Sequence, residues 1–153
     1  MISQRAKYAL RALVALVKAP PESSLMISEI SKAQAIPKKF LEQILLSLKN
    51  KGILHSKKGR GGGYSLGRPP DRVSLGEVIR TLDGSLAPVP CVSQSAYRTC
   101  EECHDEATCG IRAVMQSVRD STAQILDRES LANMLKHEEL LEQKKNKAVA
   151  YAI

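Results

Sequence analysis

One segment, residues 36–66, restricts the possible fold more than any other and reads IPKKFLEQILLSLKNKGILHSKKGRGGGYSL. Apolar side chains recur there with the spacing of one helical face at Phe40, Leu41, Ile44, Leu45 and Leu48. Pro37 suits the first turn of such a helix, and Gly52 suits its end. The pattern therefore predicts an amphipathic helix between Pro37 and Gly52.

A short β-hairpin is predicted directly after this helix. Two β-prone runs flank a tip of lysine, arginine and glycine, and the glycines can adopt positive φ at the turn. A phosphate-binding loop would instead end in Gly-Lys-Ser/Thr and open a helix, whereas Tyr64 continues into a strand. A cationic hairpin that follows a helix pair is a wing. Its Lys57, Lys58 and Arg60 could neutralise DNA phosphates or enter the minor groove.

Two further helices are predicted before this segment. An amphipathic first helix, ended by Pro20-Pro21, is indicated by Tyr8, Leu13, Leu16 and Val17. Ser28 is expected to cap a short second helix with Ile30 and Ala33 facing inward. Because only a short turn separates the second helix from the third, the pair is a candidate helix-turn-helix, although helical hairpins also occur in proteins that bind no DNA.

The second half of the chain is predicted to be helical apart from one loop. Ser74-x-x-Glu77 is a capping box for a helix closed by Gly84. A long helix begins near Gly110, and the spacing of a helix–helix seam is shown by Ile111, Met115, Val118, Thr122 and Ile125. This seam favours dimerisation, with ordinary core packing as the alternative. One more short helix follows at 131–135, and a charged tail covers 137–153. The fold class is mainly α with a small β-hairpin wing.

The two halves of the chain differ in net charge. The net charge is +7, but residues 1–72 carry 14 Lys and Arg against 4 Asp and Glu, whereas residues 73–153 carry 9 against 12. A basic first half suggests a polyanionic partner, although basic residues also merely solvate helix faces. No run approaches the roughly 20 apolar residues of a membrane span, and Arg11 interrupts the one run that resembles a signal peptide. We therefore expect a cytoplasmic protein with no membrane partner. No catalytic triad or nucleophile motif is recognisable, so an enzyme is not expected.

All four cysteines lie between residues 91 and 109, in the pattern C-x8-C-x2-C-x5-C formed by Cys91, Cys100, Cys103 and Cys109. Thiolates bind zinc and iron–sulfur clusters strongly, and neither needs one fixed spacing. A disulfide is less expected in the cytoplasm. The acidic residues around these thiols are expected to raise their pKa, which disfavours an uncoordinated thiol switch. A zinc site and a cluster both remain open at this point, and His104 could replace one sulfur.

The segment from Ile36 to Gly84 closely resembles the DNA-binding half of the IscR/NsrR/RirA group of bacterial regulators, the Rrf-two family. The resemblance runs from about residue 1 to 136. It includes Ile-Pro before the third helix, Phe-Leu-Glu-Gln-Ile-Leu within it, Gly-Gly-Gly-Tyr-Ser-Leu in the wing and Leu-Gly-Glu-Val-Ile in the next helix. It implies a homodimeric winged-helix transcription regulator, usually a repressor. Many members bind an iron–sulfur cluster through a cysteine loop just before a long dimerisation helix.

Transferred to this chain, the resemblance implies specific DNA contacts and cluster ligands. The third helix would present Lys38, Lys39, Glu42 and Gln43 to the major groove of operator DNA, where Lys and Gln suit purine edges and Glu can accept from cytosine. Glu42 would influence which class of site is read. Lys57, Lys58 and Arg60 would contact DNA from the wing, and Ser28 would be a further DNA contact.

The cysteine loop departs from the usual family pattern in its fourth ligand. A His that relatives carry three residues after the last cysteine is replaced by Arg112, and the N-terminal region offers Tyr8 rather than a carboxylate. All four cysteines could instead hold a 2Fe–2S or 4Fe–4S cluster, with zinc as the alternative.

The resulting organisation has four parts. It comprises a winged helix-turn-helix domain (1–84), a cysteine loop (85–110), a dimerisation helix with a short following helix (111–136), and the tail (137–153). The predicted function is a transcription regulator whose cluster senses iron, redox state, oxygen or nitric oxide. The alternative is a zinc-stabilised or thiol-switch regulator without a cluster.

Overall fold

The computed structural model describes residues 2–151, which form six α-helices and one two-stranded antiparallel sheet. The elements are α1 (Gln4–Lys18), α2 (Ile27–Gln34), α3 (Lys38–Asn50), β1 (Leu54–Lys57), β2 (Gly63–Leu66), α4 (Leu75–Asp83), α5 (Gly110–Arg128) and α6 (Leu131–Tyr151). Short 3-10 turns cover Pro70–Arg72 and Pro90–Val92. The predicted fold class, mainly α with a β-hairpin wing, is confirmed.

Helix α1 is the centre of the core. Ser3 caps it by accepting a hydrogen bond from the Ala6 backbone N–H at 3.1 Å. Ala9 and Ala12 are fully buried along one side, and their small side chains let neighbouring helices approach closely. Helix α1 contacts α2, α3, α4 and α6, so the DNA-binding elements and the second half of the chain share one aliphatic core.

Helices α2 and α3 form the helix-turn-helix, joined by a turn in which Ala35 adopts a left-handed backbone conformation (φ 49°). The predicted cap at Ser28 is wrong. Met26 is the N-cap residue, and its backbone N–H donates to a carboxylate oxygen of Glu29 at 2.6 Å. The Glu29 carboxylate thus satisfies the backbone N–H of the N-cap residue, which is one half of a capping box, although no Ser or Asp side chain caps the helix.

Helix α3 buries the predicted stripe, with one exception. Leu41, Ile44, Leu45 and Leu48 are completely buried, but Phe40 is 43% exposed. Its ring lies at the edge of the stripe and meets the ring of Tyr8 edge-on, with ring centroids 5.8 Å apart. As predicted, α3 ends just before Gly52, which has φ 71°.

The wing pairs Leu54 with Leu66 at its base and Lys57 with Gly63 near its tip. A backbone bridge joins Leu25 to Tyr64, with N–O distances of 2.9 and 2.8 Å. Gly63 allows this approach, because a Cβ at that position would collide with the Leu25 carbonyl. The wing is thus fixed to the segment that precedes α2.

Helices α4 to α6 complete the structure. Ser74 caps α4 as predicted, accepting from the Glu77 backbone N–H at 3.1 Å. Every residue of α5 is at least partly exposed. Helix α6 continues to Tyr151, so the predicted short helix at 131–135 and the predicted charged tail from 137 onward are one long helix as far as that residue. Residues 152–153 of the predicted tail lie outside the described range. Within residues 2–151, no helix has the length and apolar character needed to cross a bilayer.

Candidate nucleic-acid interface and cysteine cleft

The outer face of α3 carries the four predicted groove-facing residues. All four, Lys38, Lys39, Glu42 and Gln43, are exposed. Lys39 and Gln43 lie opposite the buried leucines, whereas Lys38 and Glu42 lie toward the flank of that side. Ser28 is exposed in the first turn of the neighbouring α2. This arrangement can present donors and acceptors to the edges of base pairs in a major groove.

The wing cations are equally accessible. Lys57, Lys58 and Arg60 are exposed around a tip in which Gly59 and Gly61 have positive φ. Among residues 2–151, no lysine or arginine of α3's outer face or of the wing tip forms an ion pair with a carboxylate. The charges of this surface are therefore available to phosphates.

A contact that the sequence did not reveal holds α3 on α1. A guanidinium nitrogen of Arg5 donates to Ser47 Oγ at 2.8 Å, and Ser47 Oγ donates to the Gln43 carbonyl at 2.9 Å. Arg5 and Ser47 are 42 residues apart in the chain, so no periodic pattern signals their contact. The effect is to fix the rotation of the helix that carries the groove-facing side chains.

All four cysteines line one cleft of about 590 Å³ in the loop between α4 and α5, together with Arg98 and Arg112. All four are free thiols. Cys109 is the N-cap of α5, and its sulfur accepts from the Arg112 backbone N–H at 3.5 Å. Cys100 and Cys103 share a turn, with the Cys103 N–H donating to the Cys100 carbonyl at 3.2 Å. The loop therefore brings the predicted thiols to a common surface, while His104 is exposed and lies outside the cleft lining.

The thiols are not arranged around a single point. Over residues 2–151, no group of three or more His, Cys, Asp or Glu side chains is placed so that it could hold a metal ion. Binding of any metal centre by all four sulfurs would require the loop to close further.

Partial burial raises the pKa of the Cys103 thiol, and its hydrogen bond to Cys109 raises that pKa further. The raised pKa was expected, but its source is not the acidic side chains. Glu106 is occupied elsewhere, since it accepts from the Tyr97 hydroxyl at 2.7 Å and lies 3.5 Å from the Arg112 guanidinium. The hydrogen bond to Glu106 in turn raises the pKa of Tyr97. Glu106 therefore holds the loop to Tyr97 and to α5.

The family follows from comparison with known proteins. The model of the Rrf2 family, described as iron-dependent transcriptional regulators, matches residues 2–137. The chain belongs to the Rrf2 family. It is 46% identical over 138 residues to an rrf2-like HTH-type transcriptional regulator of Rhodobacter capsulatus, covering 88% of this chain and 92% of that relative. The predicted resemblance is thus confirmed, and this Rrf2 protein is a helix-turn-helix transcription regulator.

Two solved Rrf2 structures are similar over nearly the whole chain. One is CymR (YrzC), the global cysteine regulator of B. subtilis, with a TM-score of 0.73, 28% identity, and coverage of 90% of this chain and 97% of that one. The other is T. potens IscR, with a TM-score of 0.71, 25% identity, and coverage of 90% and 88%. These likenesses confirm the winged-helix architecture.

In this Rrf2 regulator, polar contacts connect the cysteine loop to the winged helix through α5. Arg119 of α5 donates to the Val92 carbonyl in the loop at 2.5 Å. Further along α5, Asp127 pairs with Arg80 of α4. Asp83, at the end of α4, accepts from the backbone N–H of Ser3 at 2.9 Å, next to α1. A change in the loop can therefore reach the elements that hold α3.

Proposed function

We propose that this protein is a homodimeric, operator-binding repressor whose affinity for DNA is controlled by an iron–sulfur cluster held in the cysteine loop. The observation that carries the DNA-binding half of this proposal is the cationic surface formed by α3 and the wing. Five exposed cations, with no carboxylate partner among residues 2–151, face outward there: Lys38, Lys39, Lys57, Lys58 and Arg60. A cation without a carboxylate partner can bind a DNA phosphate and release the counterions of that phosphate. A cation already paired with a carboxylate must give up that partner first.

Homodimerisation is supported by α5. This helix has 19 residues, a length of about 28 Å at 1.5 Å per residue. Ile111, Val114, Val118 and Ile125 are between 44% and 72% exposed on one side of it. Exposure of a stripe of large apolar side chains to water is unfavourable in free energy. A second copy of the same helix would cover the stripe. Two-fold symmetry would then place two α3 helices on a palindromic operator.

The donor set of the cysteine loop suits an iron–sulfur cluster. Four thiols line one cleft, and Arg98 and Arg112 in the same lining can offset the negative charge of thiolate ligands. We assign Cys91, Cys100, Cys103 and Cys109 as the ligands. An iron–sulfur cluster supplies a redox centre whose state depends on iron supply and oxidants.

The loop's own residues supply the link from this cleft to DNA. Cys109 caps α5, so a change in the position of its sulfur acts on the first turn of that helix. Arg119 holds the loop backbone to α5, and the Arg80–Asp127 pair holds α5 to α4. The loop would have two states, with and without a bound cluster. Their operator affinities would differ by the difference between the free energies with which the two states bind DNA, and by no more than that.

The test compares protein purified without oxygen and protein stripped of metal, each titrated with an operator obtained by selection from a random duplex library. We expect the two forms to differ at least about fivefold in affinity, the lower range of allosteric coupling. Cys103→Ser should abolish that difference and leave the affinity of the metal-free form unchanged. Equal affinities of the two wild-type forms would contradict control by a metal centre, while absence of any selected sequence would contradict operator binding.

A second candidate is a regulator without a cluster, in which the loop holds zinc or acts as a thiol switch. Two observations favour it. The thiols do not form a metal-holding group among residues 2–151, which favours the thiol switch over either metal centre, and Cys103 and Cys109 line the same cleft as free thiols. The chain is similar to the global cysteine regulator CymR as well as to IscR. Zinc would use the same four sulfurs in tetrahedral coordination.

A further inference from the structure

Helix α3 carries one large apolar residue on its outer face. This residue belongs neither to the buried stripe nor to the polar residues proposed to contact DNA. Leu46 is 52% exposed, whereas the other leucines of α3, at positions 41, 45 and 48, are completely buried. Single exposed leucines are ordinary on protein surfaces. The position of Leu46 on the helix is therefore the informative feature.

Leu46 lies at the middle of the groove-facing side. With 3.6 residues per turn, Gln43 is displaced about 40° to one side of Lys39 and Leu46 about 20° to the other. Leu46 also stands about 10 Å along the axis from Lys39 at 1.5 Å per residue. That distance is within the width of a major groove, about 12 Å.

Lys39, Glu42, Gln43 and Leu46 have the spacing i, i+3, i+4 and i+7. In homeodomains, base contacts from the recognition helix follow the same spacing. The three polar members supply hydrogen bonds, and an apolar fourth member can supply only a contact with an apolar group. In the major groove that group is the 5-methyl of thymine.

We propose that Leu46 is a specificity-determining residue that contacts a thymine 5-methyl group in each half of the operator. This inference rests on the proposed operator binding and names one of the base pairs that α3 reads. The residues on either side of Leu46 are both held in place, because Ser47 is bound by Arg5 and Leu45 is fully buried. The backbone that carries Leu46 is therefore fixed on α1.

The experiment removes the side chain and the methyl group separately and together. Wild-type protein and Leu46→Ala are each titrated with the selected operator and with duplexes in which one thymine per half-site is replaced by deoxyuracil, which lacks only the methyl. We expect one replacement to weaken wild-type binding about fourfold, the factor that corresponds to about 0.8 kcal/mol for one buried methyl group. Leu46→Ala should lose that dependence and show no further loss at the same base.

Leu141→Ala is the matched control, since Leu141 is 65% exposed on α6, away from α3. It should keep the full effect of the methyl. If deoxyuracil weakens wild type and Leu46→Ala equally at every thymine, or weakens neither, the assignment of Leu46 is overturned while operator binding stands. If wild-type protein selects no duplex, both proposals fail. Thermal melts of the three proteins establish that each is folded.

Discussion

Arg80 and Asp127 form a two-pronged ion pair across the joint between α4 and α5. The two terminal guanidinium nitrogens of Arg80 lie 2.6 and 2.8 Å from the two carboxylate oxygens of Asp127. The residues are 47 positions apart, and the pair is a direct side-chain link between the helix that packs on α1 and the helix that follows the cysteine loop. Its removal should loosen that joint without touching the DNA-facing residues.

Asp127→Asn should lower the free energy of unfolding by about 0.2–1 kcal/mol at pH 7, the range for exposed ion pairs, because the two side chains are 40% and 45% exposed. Arg80 lowers the pKa of Asp127 from its ordinary value of 3.8. A carboxyl group whose pKa is lowered in the folded state stabilises that state at pH values above its ordinary pKa. This contribution to the free energy of unfolding disappears as pH falls through the lowered pKa. Denaturant titrations at pH 7 and near pH 2 should therefore show a deficit at pH 7 that closes in acid.

Glu139→Gln serves as the control for this prediction, since Glu139 is an exposed carboxylate of α6 outside the ion pairs found among residues 2–151. It should leave stability at pH 7 within experimental error of wild type. A deficit for Asp127→Asn that stays constant between the two pH values would show that the ion pair is not its cause.

Gly76→Ala should disturb the same joint from the α4 side. A Cβ on Gly76 would collide with the Asp127 carboxylate and approach Arg80 Nη1 to 3.0 Å. Because both atoms end flexible side chains and alanine has the higher helix propensity, we expect the Arg80–Asp127 pair to be displaced at a net cost of no more than about 1 kcal/mol of stability. Gly110→Ala, in the first turn of α5, meets nothing within 4 Å and should be neutral or stabilising. Equal effects of the two substitutions on the denaturation midpoint would contradict the close approach at Gly76.

The parts of the fold predicted correctly from sequence are those with a local periodic or turn signal. The stripe around Ile44, the end of α3 at Gly52 and the capped start of α4 at Ser74 each depend on residues within a few positions of one another. The errors have local causes too. Phe40 has the right spacing but lies at the edge of the stripe, and Ser28 has the right chemistry but lies two residues past the cap.

The contacts between residues far apart in the chain were not predicted, because they leave no periodic trace in the sequence. Arg5–Ser47 and Arg80–Asp127 join positions more than 40 residues apart. The second half of α6 was not predicted to be helical, because its charged and polar residues from 137 onward show no apolar stripe. A helix can nonetheless continue through such residues on their helix propensity alone. For the candidate site, the groove-facing residues and the cysteine loop were placed from sequence, but the separation of the thiols depends on loop packing.

Lys39→Ala and Lys58→Ala should weaken DNA binding in different ways. Lys39 lies on the groove-facing side of α3, so its removal should alter the selected sequence as well as affinity. Lys58 lies at the wing tip, where a phosphate contact should weaken all sequences alike and lessen the salt dependence by about one counterion. Fluorescence titrations on specific and random duplexes at several salt concentrations separate the two effects. An unchanged sequence preference for Lys39→Ala would contradict its assignment.

Ile125→Glu should convert the proposed dimer into a monomer. Ile125 is 63% exposed on the apolar side of α5, and a charge introduced into the dimer interface there is strongly unfavourable because it is buried without a partner. Gln116→Glu adds a charge on the opposite side of the same helix and should not affect association. Sedimentation velocity measures both. A monomeric wild type, or two dimeric variants, would exclude α5 as the interface.

The central claim, that Cys91, Cys100, Cys103 and Cys109 hold an iron–sulfur cluster, is tested most directly by metal and sulfide analysis of protein purified without oxygen. We expect a coloured protein with iron and acid-labile sulfide in equal, stoichiometric amounts, both lost in Cys103→Ser. A colourless protein that contains stoichiometric zinc, or no metal at all, would contradict it.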